Sequence, residues 1–311
     1  MVKTAVLLAT YNGEAFIKEQ LDSIKNQTCK PDYVLMRDDG STDETVSLVQ
    51  SYIEANHLSG WSIVKNEQNL GWRLNFRQLL LDSLSYDLDY VFFSDQDDIW
   101  YLDKNERQVA IMENNQSIDV LSADVDIKLM SEDATEPNQF QFDQSSELSQ
   151  YPLDFTYHNY RQGWTFCIRQ SLVESIMKYY SQSLILSHDN LMTGISGLLG
   201  SGYNYNSAVG VHKRHGGNAS GNLLSLRSTN QRHLDELKLV LSYDMIAVRV
   251  LKEVNHPNYY KLLEYLNFNK NRLKNAENRD FFATLKQVIQ DKVYYDSFSN
   301  RIRDLIFLVK K

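Results

Sequence analysis

The sequence predicts an α/β fold: a mainly parallel central sheet flanked by helices, with a helical C-terminal extension. Two patterns carry this expectation. Short runs of strand formers alternate with amphipathic helices through roughly the first hundred residues. Three of those strands run into polar loops, where open parallel sheets bind their ligands.

Lys3 to Thr10 is a short apolar run that reads as a buried strand, broken by Tyr11-Asn12-Gly13. A helix is expected to about Asn26, with Phe16, Ile17, Leu21 and Ile24 on its inner face. Tyr33 to Arg37 is the second strand, ending in Asp38-Asp39-Gly40-Ser41-Thr42-Asp43. Ser41 or Thr42 is expected to cap the next helix, with Asp43 and Glu44 in its first turn. That helix runs to about Asn56, and Trp61 to Lys65 is the third strand. Asn69-Leu70-Gly71-Trp72 turns into a helix with Phe76, Leu79, Leu80 and Leu84 on one side. The fourth strand, Tyr90 to Phe93, leads into Ser94-Asp95-Gln96-Asp97-Asp98.

That last stretch places three carboxylates within four positions. A strand end fixes the backbone, so the acids stay close. Their repulsion is relieved by a hard divalent cation, which keeps open positions for the oxygens of a diphosphate. A single Asp after a strand also serves as a turn residue or helix cap, and that reading stays open for Asp98 and Asp103. A calcium loop starting at Asp95 is excluded, because Trp100 stands where it needs glycine. The chain has neither a GxxxxGK[ST] loop nor a GxGxxG turn. The loops at Thr10 to Asn12, Asp38 to Ser41 and Ser94 to Asp98 are expected to meet at one site.

Further on, Lys104 to Asn115 reads as a helix and Val120 to Ile127 as a strand. Ser131 to Asp154 holds six acids and no base, and reads as a long surface excursion. Order returns at Arg161-Gln162-Gly163-Trp164-Thr165-Phe166, followed by a helix from Ser171 to Tyr180. Ser187-His188-Asp189-Asn190 opens another helix, to about Leu199, and His188-Asp189 reads equally well as its cap. His212 to Asn218 is a cationic, Gly-rich loop that as a bare pattern is also a solvated turn.

From Asn222 the pattern is helical, with Leu237, Val240, Leu241, Met245 and Val248 in one stripe. Ile302, Leu305, Ile306 and Val309 form another, flanked by Arg301, Arg303, Lys310 and Lys311. That suits a helix lying on a membrane surface, or one packed on its own domain or a second subunit. The expected division is residues 1–221 and 222–311.

The chain has 311 residues, 42% apolar and 23% charged, which suits one large domain or a domain with an annex. Its net charge of −8 is split. Residues 1–221 carry 16 Lys and Arg against 30 Asp and Glu; residues 222–311 carry 16 against 10. The acidic body argues against a nucleic-acid partner. Two cysteines, Cys29 and Cys167, fit a reducing compartment and no disulfide framework. The N-terminus does not read as a signal peptide, and no apolar run approaches membrane-span length. A cytoplasmic protein is expected.

Ala9-Thr10-Tyr11-Asn12-Gly13, Asp38-Asp39-Gly40-Ser41-Thr42-Asp43, Asn69-Leu70-Gly71, Phe93-Ser94-Asp95-Gln96-Asp97-Asp98 and His188-Asp189 together resemble the family 2 glycosyltransferases, which have the glycosyltransferase-A fold. They follow the family's order over about residues 1–221. Phe93 to Trp100, Gly163-Trp164-Thr165 and Arg214-His215-Gly216-Gly217-Asn218 resemble the bacterial rhamnosyltransferase-like branch.

The resemblance implies a dTDP- or UDP-sugar donor, Mg²⁺ or Mn²⁺, and inversion at the anomeric carbon. It implies a saccharide or lipid-linked acceptor in cell-surface polysaccharide synthesis. Thr10, Tyr11 and Asn12 would line the nucleotide pocket, Asp38 would reach the base, and Asp39 and Asn69 would lie at the donor. Asp95 and Asp97 match the family's DxD, Asp97 as direct metal ligand. Asp189 falls at the catalytic base, and Arg214 and His215 at the diphosphate or metal. His188 has no implied role, and residues 222–311 match no motif; packing, homo-oligomer or membrane contact is expected there.

Other enzymes fit less well. A glycoside hydrolase needs no acid cluster beside a nucleotide pocket. A sugar nucleotidyltransferase would carry a basic Gly-rich first loop, and an aspartyl phosphatase its DxD on the first strand. An inactive glycan- or partner-binding homologue would not need Asp95, Asp97 and Asp189 together.

Overall fold

The structure, a computed structural model, describes residues 2–131, 139–156, 160–184, 186–214 and 229–310. The chain forms two compact units. The first comprises Met1–Leu153, His158–Lys178 and Ser187–Asn218; the second comprises Asp154–Tyr157, Tyr179–Leu186 and Ala219–Lys311.

The first unit begins β1 (Thr4–Thr10), α1 (Ile17–Lys25), β2 (Tyr33–Asp38), α2 (Thr45–Ala55), β3 (Trp61–Lys65), α3 (Trp72–Ser83) and β4 (Tyr90–Ser94). The alternation builds the parallel half of the sheet, in the order β3-β2-β1-β4. β1, β2 and β4 are apolar and buried along most of their length, whereas β3, at the edge, is largely exposed. Val6, Leu8, Val34, Met36 and Phe92 are buried with Ile17, Leu21 and Ile24 of α1.

There follow β5 (Ile99–Trp100), α4 (Lys104–Asn114), β6 (Val120–Leu129), β7 (Leu148–Gln150), a 3₁₀ turn at Gly163–Thr165, β8 (Cys167–Arg169), α5 (Gln170–Met177), α6 (His188–Leu199) and β9 (Gly202–Arg214). They continue the sheet as β4-β8-β6-β9-β5, with β7 on β9. β8 runs antiparallel to both β4 and β6, so the sheet is mixed and only its first half is wholly parallel. Both cysteines are free thiols.

Four local expectations are corrected. Ser41 is no helix cap: its hydroxyl donates to Asp38, and the backbone N–H of Thr45 donates to Asp43 instead (3.1 Å). Asp43 and Glu44 precede α2 rather than forming its first turn. Leu84 lies past the end of α3 and is exposed. The surface excursion, where described, is part of the fold: β7 pairs with β9, and Phe142 and Tyr151 are buried.

The second unit contains α7 (Asn230–Glu253), α8 (Tyr259–Glu277), α9 (Phe281–Gln290) and α10 (Phe298–Val309). The buried face of α7 is not the expected stripe. Leu237 and Val248 are buried, but Tyr243, Asp244, Ala247 and Leu251 complete the face, while Val240, Leu241 and Met245 are half-exposed. Asp304 of α10 sits at the centre of a buried polar network. Arg272 holds it with two hydrogen bonds, at 2.6 and 2.9 Å, and the Tyr295 hydroxyl donates at 3.0 Å. Burial alone would raise the Asp304 carboxyl, but Arg272 and His233 together outweigh it and bring the pKa down to about 2. Among the described residues, no helix is long and apolar enough to cross a membrane.

Candidate active site

The strand register brings the three polar loops together. Thr10 lies beside Asp38 in the β1–β2 pair, and Leu8 beside Ser94 in the β1–β4 pair. Each loop therefore leaves the same edge of the sheet.

The loop after β2 is held by its own two acids. Asp38 is fully buried; it accepts from Thr10 Oγ1 (3.0 Å), Gly40 N (3.1 Å), Ser41 N (2.8 Å) and Ser41 Oγ. A carboxylate has about four acceptor positions, so Asp38 shapes its loop with all of them. Asp39 accepts from Asn66 Nδ2 (3.0 Å), Leu70 N (2.8 Å) and Gly71 N (2.8 Å), while Asn69 Nδ2 donates to the Asp39 carbonyl (2.9 Å). Asp39 thus fixes the Asn69–Gly71 turn that starts α3. Gly71 has φ of 81°, which only glycine adopts without strain.

The loop after β1 is tied on two sides. Asn12 takes a left-handed φ of 46°; its N–H donates to Ser41 Oγ (2.8 Å) and its Oδ1 accepts from Thr42 N (2.9 Å). The Tyr11 side chain stays 48% exposed and available to a ligand. Gln96, the middle residue of the acid motif, binds the Tyr11 backbone through both its amide atoms. Sequence reasoning missed this role, because nothing local marks a polar residue between two acids.

The acid loop is the electrostatic centre. Asp95 is partly solvent-touched but lies deep in the unit. Burial, then the charges of Asp98, Asp97 and Asp189, push its pKa well above the usual carboxylate range. Asp189 comes from α6, far along the chain, yet acts on Asp95. Asp98 is neither turn residue nor cap. It is buried and bonded to His212 Nδ1 of β9 (2.7 Å), and its buried Oδ2 has no hydrogen-bond partner among the described residues. Burial raises Asp98 to about 6, against the opposing pull of His212. Asp103 stands at the N-cap of α4 without a side-chain capping bond, and pairs with Arg107 (2.9 Å). Because β5 follows the acid loop and pairs with β9, the Asp98–His212 bond ties the acids to the strand ending at Arg214. His215 lies outside the described residues.

Asp189 occupies the first turn of α6 but not its cap position, which is Ser187. Its Oδ1 accepts from Ser187 Oγ and from Asn190 N (3.2 Å). His188 fixes where α6 starts. Its ring stacks on Phe76 (3.7 Å) and meets the edge of Phe93 (4.6 Å), two residues before Asp95. The 3₁₀ turn closes against the same ring: a Cβ on Gly163 would stand 2.6 Å from His188 Nε2 and 3.5 Å from Asp189 Cβ. Burial lowers the His188 pKa to about 4, so the ring is neutral beside Asp189. The anchor Phe93–His188 therefore sets Asp95 and Asp189 relative to each other.

Residues 5–175 match Glycosyl transferase family 2. The chain belongs to this family. The family stretch holds the three loops, the acids and the 3₁₀ turn; Asp189 and Arg214 lie beyond it. The chain is 36% identical over 111 residues to the dTDP-rhamnosyl transferase RfbG of Shigella flexneri. That match covers 35% of this chain and only 38% of the relative's length. The crystal structure of S. aureus TarS 1-349 in complex with UDP-GlcNAc superimposes with a TM-score of 0.58, covering 94% of this chain and 92% of that one at 18% identity. The mannosyltransferase PcManGT from Pyrobaculum calidifontis, in complex with GDP-Man and Mn²⁺, gives 0.51 at 16% identity, covering 99% and 85%. The architecture is the family's glycosyltransferase-A fold, a mixed α/β sheet with helices and a helical C-terminal region.

Among the described residues, no three His, Cys, Asp or Glu side chains are grouped to hold a metal by themselves. Mg²⁺-type cations bound with phosphates need no such cage. They take one or two carboxylates and complete their shell with phosphate oxygens and water. The ionised form of Asp95 is disfavoured by burial and three acidic neighbours, so it is the form a cation would stabilise, and Asp97 follows two residues on. These residues fit a divalent cation that arrives with a diphosphate.

Proposed function

We propose that this chain moves a sugar from a nucleoside-diphosphate donor to an acceptor hydroxyl, with inversion at the anomeric carbon and with Mg²⁺ or Mn²⁺. The observation that carries this reading is the contact of Phe93 with His188 (4.6 Å), which brings the start of α6, and Asp189 with it, to the acid loop beside the loops of β1 and β2. Donor-side and acceptor-side carboxylates are thereby held by separate elements.

Tyr11 and Asn12 face the nucleotide, with Thr10, Asp38, Asp39 and Asn69 holding the loop backbone that receives it. Asp97 and Asp95 would hold a divalent cation, which would supply Lewis-acid stabilisation to the departing diphosphate. Arg214 adds positive charge there, where charge grows in the transition state. The acceptor oxygen bonds to the anomeric carbon from the face opposite the leaving group. As the bond to the diphosphate breaks, the hydroxyl proton passes to a carboxylate oxygen of Asp189. Neutral His188 places no positive charge next to that base.

The name of the Shigella relative makes dTDP-rhamnose the first donor to test, and the TarS complex makes UDP-GlcNAc the second. A saccharide or lipid-linked acceptor of bacterial cell-surface polysaccharide follows from the same kinship. We assign catalysis to residues 1–221 and docking or self-association to 222–311, with the protein in the cytoplasm at the inner membrane face. The test is turnover of dTDP-rhamnose, UDP-glucose, UDP-galactose and UDP-GlcNAc with Mn²⁺ and with excess chelator. One donor turning over only with metal is the expected result. No turnover and no calorimetric binding of any donor would replace this reading with that of an inactive homologue.

A further inference from the structure

In the second unit α9 is turned inside out. It buries Thr284 and Gln287, and Gln287 docks it through hydrogen bonds to the Phe268 carbonyl (3.0 Å) and from Asn275 Nδ2 (2.9 Å). At about 100° per residue, Leu285, Ile289 and Phe282 fall on the opposite arc, with Phe281 at its edge. Phe282 is 81% exposed and Ile289 64%. Lys286 borders that arc and is exposed.

The neighbouring α10 repeats the arrangement. Asp304, Phe307 and Leu308 face inward, so the helix is already anchored without its other apolar face. That second face carries Phe298 (67% exposed), Ile302 (39%) and Val309 (69%), with Leu305 and Ile306 half-exposed between them. Arg301 borders it on one side and Arg303 on the other, at about 100° per residue. The Arg301 guanidinium lies 4.9 Å over the Phe298 ring. Val293, in the connection between the two helices, is 69% exposed.

Soluble surfaces rarely gather so much exposed apolar area without a partner. We propose that the outward face of α9 and α10 docks on an anionic lipid surface. Apolar arcs bordered by Lys and Arg are the pattern of helices that lie in a membrane interface. Charge decides between lipid and a second copy of this chain. In a two-fold self-contact these cations would meet each other, whereas an anionic headgroup layer neutralises them. Residues 1–221 carry excess negative charge, so attraction to such a layer must come from this helical region. The inference does not depend on the transferase reaction, and its readout needs no turnover.

The experiment is flotation of the full chain with vesicles of equal phosphatidylglycerol and phosphatidylcholine, and with phosphatidylcholine alone. Binding to the anionic vesicles, weakened by salt and absent from neutral ones, is expected. The double variant Phe282→Ser and Ile289→Ser should bind at least tenfold more weakly, with circular dichroism confirming that it is folded. Arg301→Glu with Arg303→Glu, a second variant of different chemistry, should do the same. Absent binding, equal binding to both vesicle types, or undiminished binding by both variants would overturn the proposal. So would a dimer in sedimentation velocity that the Phe282 and Ile289 changes split while no vesicle is bound.

Discussion

Gln96 grips the backbone of Tyr11 from both sides: its Oε1 accepts from Tyr11 N at 2.9 Å and its Nε2 donates to Tyr11 O at 3.0 Å. One amide thereby joins the acid loop after β4 to the loop after β1. Gly13 belongs to the same contact, because a Cβ there would stand 2.2 Å from Gln96 Oε1. The clamp is solvent-exposed, so its worth to folding is small. Its worth to a ligand that touches both loops is larger.

Gln96→Ala is therefore expected to change unfolding free energy by about 1 kcal/mol while weakening donor binding roughly tenfold. Calorimetric titration of donor together with urea unfolding checks this. Unchanged donor affinity would show that the loops keep their places without the amide.

Gly163→Ala tests the seat of His188. The added methyl meets Nε2 of a ring that is already fixed by Phe76 and Phe93. Overpacking of this kind costs about 1–3 kcal/mol. In the double variant with His188→Ala the clash is gone, so the two costs should fall short of adding. Strict additivity in unfolding midpoints would mean that the turn does not bear on the ring.

The same histidine gives a pH dependence. Burial lowers its folded pKa to about 4, from an unfolded value near 6.5. The unfolded chain then binds more protons between those values, so stability is full above pH 6.5 and falls as the pH drops towards 4. At 1.36 kcal/mol per unit, the loss approaches about 3 kcal/mol. Urea midpoints at pH 7.5 and pH 5 should diverge less for His188→Gln than for the native chain. Equal divergence would assign the effect to another group.

Much of the site could be read from the sequence because it depends on strand ends. Thr10, Asp38 and the acids after Ser94 each follow an apolar run, and parallel register aligns those ends without further information. The start of α6 at His188 was equally legible. What escaped was side-chain pairing across long separations. Asp98 meets His212 across 114 positions, and neither residue looks different from a turn residue. Local pattern points to a cap at Ser41 or Thr42, whereas the Ser41 hydroxyl instead donates to Asp38 of its own loop and accepts from Asn12 of the loop after β1. The outward face of α9 could not be read from periodicity, which finds an apolar stripe but not the side it faces.

Asp97→Asn removes one of two charged groups proposed to hold the cation and diphosphate. Turnover is expected to fall by about 10²-fold or more, with donor affinity falling too and chelator reproducing both effects. Because Asp95 is raised by burial and its three acidic neighbours, protons compete with the cation. Apparent Mn²⁺ affinity should therefore rise with pH. Full turnover in excess chelator would remove the metal from the reaction.

Asp189→Asn separates chemistry from architecture. The residue sits in the first turn of α6 with Ser187 at the cap position, so its carboxylate is not needed as the cap itself. Asparagine keeps the shape and can still accept through its single carbonyl oxygen, as Oδ1 does from Asn190 N. What it cannot do is take a proton from the acceptor hydroxyl. Loss of a positioned base lowers the rate by about 10²–10⁴-fold. Donor affinity should change little, because the donor is held by the other loops. Removing one of the charges that raise Asp95 also lowers the pKa of that carboxyl, which favours the cation. Transfer rate and donor calorimetry on one preparation distinguish the cases. Slow transfer with intact donor binding marks Asp189 as the base; near-native transfer would leave it a structural residue of the helix start, and the base would have to be sought elsewhere on this edge of the sheet.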